Sequence, residues 1–318
     1  MNKEELNQNL LRFIDSPNTF VCEVFFILNK EDGKVIKFAD IDNDDQETLK
    51  LNFLSSLNDS IVKNDELRIA DISRIEERKE TLFHYDYDEL PQGFEPFTIL
   101  RSQHTFDPFS FTDDKFEEIS GIVFILSIEE LTLISYKQHY PINLYKRDSR
   151  AMGLWKSENR LVQIPEDILK IYPDFDFFYL NDVLFVKNIK VLEKNFGYNK
   201  VVSKKAKEGL ELIETSELVV DVSFMEERIS DMTFARKLAQ ISNHSIVLNS
   251  FRIEQIVEFI DSFTPLTGKF KFNHDRSKFD LSTKKSQNLF LKLLNDDFLS
   301  SQLTKLNYDS SSKDLVEV

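Results

Sequence analysis

One cysteine, one tryptophan and seven glycines in 318 residues leave several kinds of chemistry out of reach. Cys22 alone can form no intrachain disulfide, and its place in the apolar run VCEVFFILN reads as a small buried side chain rather than a nucleophile. No two glycines stand at the spacing of G-x-G-x-x-G or of a phosphate-binding P-loop, so the usual nucleotide loops are missing. No C-x-x-C occurs, and His84, His104, His139, His244 and His274 make no H-x-x-x-H pair, which removes the ordinary structural zinc sites. The best candidate for a membrane span, GIVFILSI, stops at Glu129-Glu130, far short of the roughly 18 to 20 apolar residues a bilayer requires. MNKEELNQNLL at the N-terminus is polar and acidic, without the apolar centre of a secretion signal. A cytoplasmic protein without cofactor or metal is expected.

What is present is charge, unevenly placed, and phenylalanine. Hydrophobic residues make up 41% and charged residues 30%, the balance of a folded chain long enough for two ordinary domains. The net charge is −15, yet residues 1–130 hold 13 cationic and 29 acidic side chains, net −16, while the remainder is net +1. An acidic front third is thus joined to a neutral part that contains basic clusters, and binding depends on such local patches rather than on the average.

The pattern of apolar residues predicts an α+β fold. NKEELNQNLLRFID reads as a helix, and VCEVFFILN and KVIKFADI read as strands turned at Asp32-Gly33. DDQETLKLNFLSSLNDSIV has helical spacing with Asp44 or Asp45 as cap. TLFHYDYDEL, GIVFILSI, LTLISYKQHY, RLVQI, DFDFFYL and VLFVKNIKVL then continue a largely antiparallel sheet. Helical spacing takes over in KKAKEGLELIE, DMTFARKLAQIS and SFRIEQIVEFIDSF, before a basic hairpin and a last helix, QNLFLKLLNDDFL. The expected division is an acidic, β-rich domain over 1–200 and a helical domain with a basic hairpin over 201–318.

Acidic clusters give little. DIDNDDQETLKL begins like a calcium loop, but Asp45 stands where the turn requires Gly and Leu51 where the bidentate Glu belongs, so a helix cap explains it better. Asp174 and Asp176 in YPDFDFFYL share one face of a strand, which suggests a metal-dependent nuclease as the alternative function. The second acid and lysine of such a core are absent, because Glu193 and Lys194 are adjacent and point to opposite faces. No catalytic residue is assigned, and Asp296-Asp297 reads as a helix end.

Basic clusters give more. KFKFNHDRSKFDLSTKKSQNLFLK, residues 269–292, carries seven cations against Asp275 and Asp280. As a hairpin it would expose Lys269, Lys271, Arg276 and Lys278, and a cap at Ser282 or Thr283 would put Lys284 and Lys285 in the first turn of the next helix. Cations there oppose the helix dipole by about 0.3 to 1 kcal/mol each, a cost that an anion at the helix start would offset. A second cluster holds Lys137, Lys146, Arg147, Arg150, Lys156 and Arg160, with Tyr140, Tyr145 and Trp155 interleaved; Trp155 reads as a core residue. A third, NKVVSKKAK, holds Lys200, Lys204, Lys205 and Lys207. Together they favour a polyanion partner, and cations mixed with aromatics suit nucleic acid contacted at its backbone phosphates, double-stranded DNA once the resemblance below is added; a homodimer is expected from symmetric pairing of extended basic surfaces. The alternative use of charge is the acidic front as a protein-interaction module.

Two stretches carry a family resemblance. LLNDDFLSSQLTKLNYD and YPDFDFFYLNDVLFVKNIKVLEKNFGY, with the length and the acidic front, resemble the KwaB family of Kiwa anti-phage defence systems. The resemblance covers roughly residues 120–318 and implies a cytoplasmic effector that binds DNA beside a small membrane partner, KwaA. It also implies interference with phage DNA replication and late expression, recruitment to the inner face of the membrane through that partner, and no catalytic signature. Leu294 to Ser301 and Leu303 to Tyr308 are its landmarks, without a chemical role.

Overall fold

Asn2 starts helix α1 (Lys3–Ile14) in the computed structural model. Its side-chain oxygen accepts the Glu5 N–H at 2.8 Å, and Leu6, Leu10 and Phe13 recur at the spacing that buries one face. Residues 1–74, 80–103, 105–147 and 152–310 are described; His104 and Arg150 lie outside them. Strand β1 (Cys22–Lys30) turns through Glu31-Asp32 into β2 (Gly33–Phe38), with Gly33 at φ 128°. That angle is open to glycine and strained for other residues, which fixes the hairpin where Asp32-Gly33 predicts it. Helix α2 (Asn43–Leu57) is capped by Asp42, whose carboxylate accepts the Asp44 N–H at 3.1 Å, rather than by Asp44 or Asp45.

The remaining strands of the sheet are β3 (Arg68–Asp71), β4 (Thr81–His84), β5 (Ile119–Ile128), β6 (Leu131–Gln138), β11 (Phe177–Leu180) and β12 (Val183–Val186). The eight strands run in the order β2-β1-β5-β6-β11-β12-β4-β3, and the pairings from β2 through β4 are antiparallel. Helices α1 and α2 cover one face, where Phe53 stacks on Phe124 at 4.8 Å. The other face is covered by α3 (Glu95–Ser102), a helix the sequence reading passes over; Phe94 and Phe97 lie there against Phe177 and Tyr179. Burial on both faces explains why β1 and β5 are continuous apolar runs instead of alternating ones.

Between β6 and β11 the chain runs out and back as an arm. Its stem pairs β7 (Leu144–Tyr145) with β10 (Ile168–Leu169), and its tip pairs β8 (Leu154–Ser157) with β9 (Arg160–Gln163). After β12 the expected strand stops short. The Lys187 and Asn188 N–H groups both donate to the Asp176 carbonyl, which bends the chain into helix α4 (Ile189–Asn195).

Met1–Ala70, Glu80–Tyr85 and Gln92–Val191 form one compact unit, and Asp71–Lys79, Asp86–Pro91 and Leu192–Val318 the other. The second is mostly helical: α5 (Tyr198–Thr215), α6 (Ser223–Glu226), α7 (Met232–His244), α8 (Ile246–Ser250), α9 (Ile253–Ser262) and α10 (Lys284–Leu294), closed by strands β13 (Phe298–Ser300) and β14 (Asn307–Asp309). Gly209 lets α5 approach α7 closely, since a Cβ there would collide with the Leu238 carbonyl oxygen. Asp231 caps α7 with bonds from the Thr233 and Phe234 N–H groups.

Candidate nucleic-acid interface

Thr283, not Ser282, is the cap of α10, its hydroxyl accepting the Ser286 N–H at 3.1 Å. Lys284 and Lys285 therefore occupy the first turn, both exposed, with no acidic residue in that turn. Gln287, Phe290, Leu291 and Leu294 bury the opposite face and hold the helix start in place. Just before it, Phe272 bridges Phe279, and the Asp280 N–H donates to the Lys271 carbonyl at 2.9 Å. The expected hairpin is reduced to this single bridge. Rings of Phe270, Phe272, Phe279 and Phe290 pack in sequence, with centroids 4.7 to 5.4 Å apart across Phe279. Strand alternation then places Lys271 and Lys278 on the face opposite Phe272 and Phe279.

Not every predicted cation is available. Arg276 makes a two-pronged bond to Asp261 at 2.8 and 3.0 Å and lies over the Phe272 ring. Lys204 and Lys205, both on α5, pair with Glu89 at 2.6 Å and Glu208 at 2.8 Å. Among the described residues, Lys269, Lys271, Lys278, Lys284 and Lys285 have no carboxylate within 4 Å, and all five belong to the second unit.

In the first unit, Lys146 pairs with Glu117, and the Arg147 N–H is held by Asp167 at 2.8 Å. Lys156 and Arg160 stand on the arm tip without a carboxylate partner among the described residues. The register sets Lys156 opposite Leu161 and Arg160 opposite Ser157, so these two cations point to opposite faces of the tip hairpin. Trp155 is 52% exposed and is not a core residue. A two-stranded hairpin on which no layer packs among the described residues has no core to offer.

The carboxylates read as a nuclease candidate are already engaged. Asp174 accepts from Lys137 at 2.9 Å and from Lys187 at 3.0 Å; Asp176 accepts the Gln138 N–H at 2.7 Å and the Asn188 amide at 3.1 Å, with Lys137 3.5 Å away. Burial pushes the Asp174 carboxyl up, but the hydrogen bonds from Lys137 and Phe175 and the charge of Lys187 outweigh it and hold the group below its usual range. No group of three or more His, Cys, Asp or Glu side chains is arranged to hold a metal ion among the described residues.

One cluster carries no sequence signal at all. The Ser73 hydroxyl donates to Asp86 and lies 2.6 Å from His244 Nε2. Asp86 also accepts the Ser73 N–H at 3.0 Å, so it holds the serine itself rather than orienting the imidazole. With Ser73 buried, the group is a tie between α7 and the Ile72–Arg74 turn.

An α+β chain with two unpaired lysines in the first turn of a late helix, and with internally neutralised carboxylates in its middle, is the class defined so far. Comparison supplies the family. A model of the Kiwa protein KwaB-like family matches residues 116–304, more than half of the chain, and the chain belongs to that family. It is 28% identical over 323 residues, the whole of both chains, to Kiwa protein KwaB of Escherichia coli O55:H7 (strain RM12579 / EPEC). No solved structure matches it.

Proposed function

We propose that this chain is an anti-phage defence protein that holds double-stranded DNA by its phosphates, largely without regard to sequence, and so interferes with phage DNA replication and late expression. The observation that carries the DNA contact is the set of unpaired lysines Lys269, Lys271, Lys278, Lys284 and Lys285, two of them in a helix first turn that has no acid. A helix start also offers free N–H groups and a positive dipole end, so a phosphate there relieves the cost of placing lysines in that turn. Lys156 and Arg160 on the arm add cations in the other unit.

Family membership supports the defence setting. No helix among the described residues is long and apolar enough to cross a membrane. Recruitment to the inner face of the membrane is therefore assigned to a membrane partner, KwaA, and a homodimer would double the basic surface. A nuclease on Asp174 and Asp176 gains no support, because a metal would have to displace Lys137, Lys187, the Gln138 N–H and Asn188.

The test is fluorescence anisotropy of a labelled duplex of about 40 base pairs over a salt series. Affinity falling linearly on logarithmic axes, with a slope of about 0.9 per phosphate contact, is the expected result. No binding at low salt would overturn the reading and move the function to the acidic surface and a protein partner.

A further inference from the structure

The chain's only tryptophan is set where a ring can be used from outside. Trp155 lies on β8 opposite Val162, and the same face carries Ser157 opposite Arg160. Half of the Trp155 surface is open, and Arg160 beside it has no carboxylate partner among the described residues. Tyr140 and Tyr172, where the chain leaves and re-enters the sheet, are likewise about half exposed, at 49% and 52%. Phosphate contacts use the cations of this arm and none of its ring area.

We propose that the arm is a stacking site for unpaired bases, Trp155 taking the face of a base while Arg160 on the same face meets the adjoining phosphate. This rests on the DNA reading above and adds the form of DNA preferred. Every base has an apolar face, and stacking on an aromatic side chain beside cations is the sequence-tolerant way to hold a single strand. In an intact duplex those faces are already stacked on their neighbours, so the ring gains nothing there. DNA with single-stranded stretches therefore binds more tightly than plain duplex, and the difference resides in Trp155.

The same tryptophan is the probe. The intact protein is titrated with a 40-base single strand of mixed sequence and with the matching duplex, following both tryptophan fluorescence and anisotropy of the labelled DNA. The strand is expected to quench Trp155 and the duplex to leave it nearly unchanged. Trp155→Ala is expected to weaken strand binding about ten-fold with duplex binding unaltered, and Trp155→Phe, which keeps a ring, to restore most of it. A strand that binds without quenching overturns the proposal, as does a Trp155→Ala variant that loses strand and duplex equally. Binding of neither DNA overturns this proposal and the DNA reading together, whereas duplex binding with an indifferent Trp155 overturns the stacking alone.

Discussion

Lys137 and Lys284 come from stretches that look equally basic, and they are used in opposite ways. Lys137 stands near the end of β6, an interior strand of the first unit's sheet, partly buried, bonded to Asp174 and 3.5 Å from Asp176. Burial pushes its ammonium pKa down, and the two carboxylates more than reverse that and leave it raised. Lys284 begins α10 in the second unit, exposed, with a helix dipole against it and no acid in its turn. The first cation is spent on the fold and the second is not. Net charge over a window, +4 or +5 in these clusters, counts both alike. What separates them is the distance to a carboxylate, which a chain folded across strands sets and a linear count does not.

The comparison breaks most severely at Asp176, which is 4% exposed and joins β6, β11 and the turn after β12 through five hydrogen-bonded groups. Asp176→Ala leaves the Gln138 N–H and the Asn188 amide without their partner and takes away one of the two carboxylates beside Lys137. A loss of about 3 kcal/mol is expected, read as the urea midpoint at constant slope. A change under about 1 kcal/mol would mean that the network is decorative. At the other end, Lys284→Glu with Lys285→Glu should leave the fold intact and even raise its stability slightly, because acids suit a helix start. Duplex affinity should fall about ten-fold and the salt slope by about two units. Wild-type affinity in that variant would remove α10 from the interface.

A pH series sharpens the same contrast. The Asp174 carboxyl titrates lower in the folded chain than in the unfolded one. Its stabilisation is therefore fully present above the unfolded value, roughly 3.9, and is lost as pH falls through the folded value. The urea midpoint of Asp174→Asn should lie below wild type at pH 6, and the gap should close as the pH approaches 2. A gap that stays constant over that range would show that the asparagine acts through shape and not charge.

Much of this was readable in the residues, and the unreadable part has a common cause. The Asp32-Gly33 turn, the antiparallel sheet, α7 and the capped start of α10 follow from local signals: a glycine-permitted angle, alternation, three-to-four spacing, a threonine before a helix. The missed features depend on partners distant in sequence. Helix α3 is short and holds its place by packing Phe94 and Phe97 on strands about 80 residues later. The expected strand through Lys187 and Asn188 yields to the Asp176 carbonyl, and Trp155 reads as core only until its hairpin is seen to be mostly exposed. Ser73, Asp86 and His244 meet across 171 residues. The lysines at 284 and 285 were legible as exposed, but the pairing of Lys204 with Glu89 was not.

Lys204 gives the smallest and most pointed effect. It is a lysine of α5 in a basic stretch, KKAK, yet its ammonium lies 2.6 Å from Glu89 and the contact is more than half exposed on both sides. Exposed pairs of this kind contribute about 0 to 1 kcal/mol, so Lys204→Ala should shift the urea midpoint barely at all. If pairing decides which cations reach DNA, the same substitution should change duplex affinity less than about two-fold, while Lys284→Ala alone changes it more. Glu89→Ala then becomes the reverse experiment. It frees Lys204 without adding a cation to the chain, and duplex binding should tighten. Equal losses for Lys204→Ala and Lys284→Ala would show that DNA competes successfully for paired lysines, and the distinction between spent and unspent cations would fail at the surface while still holding at Lys137.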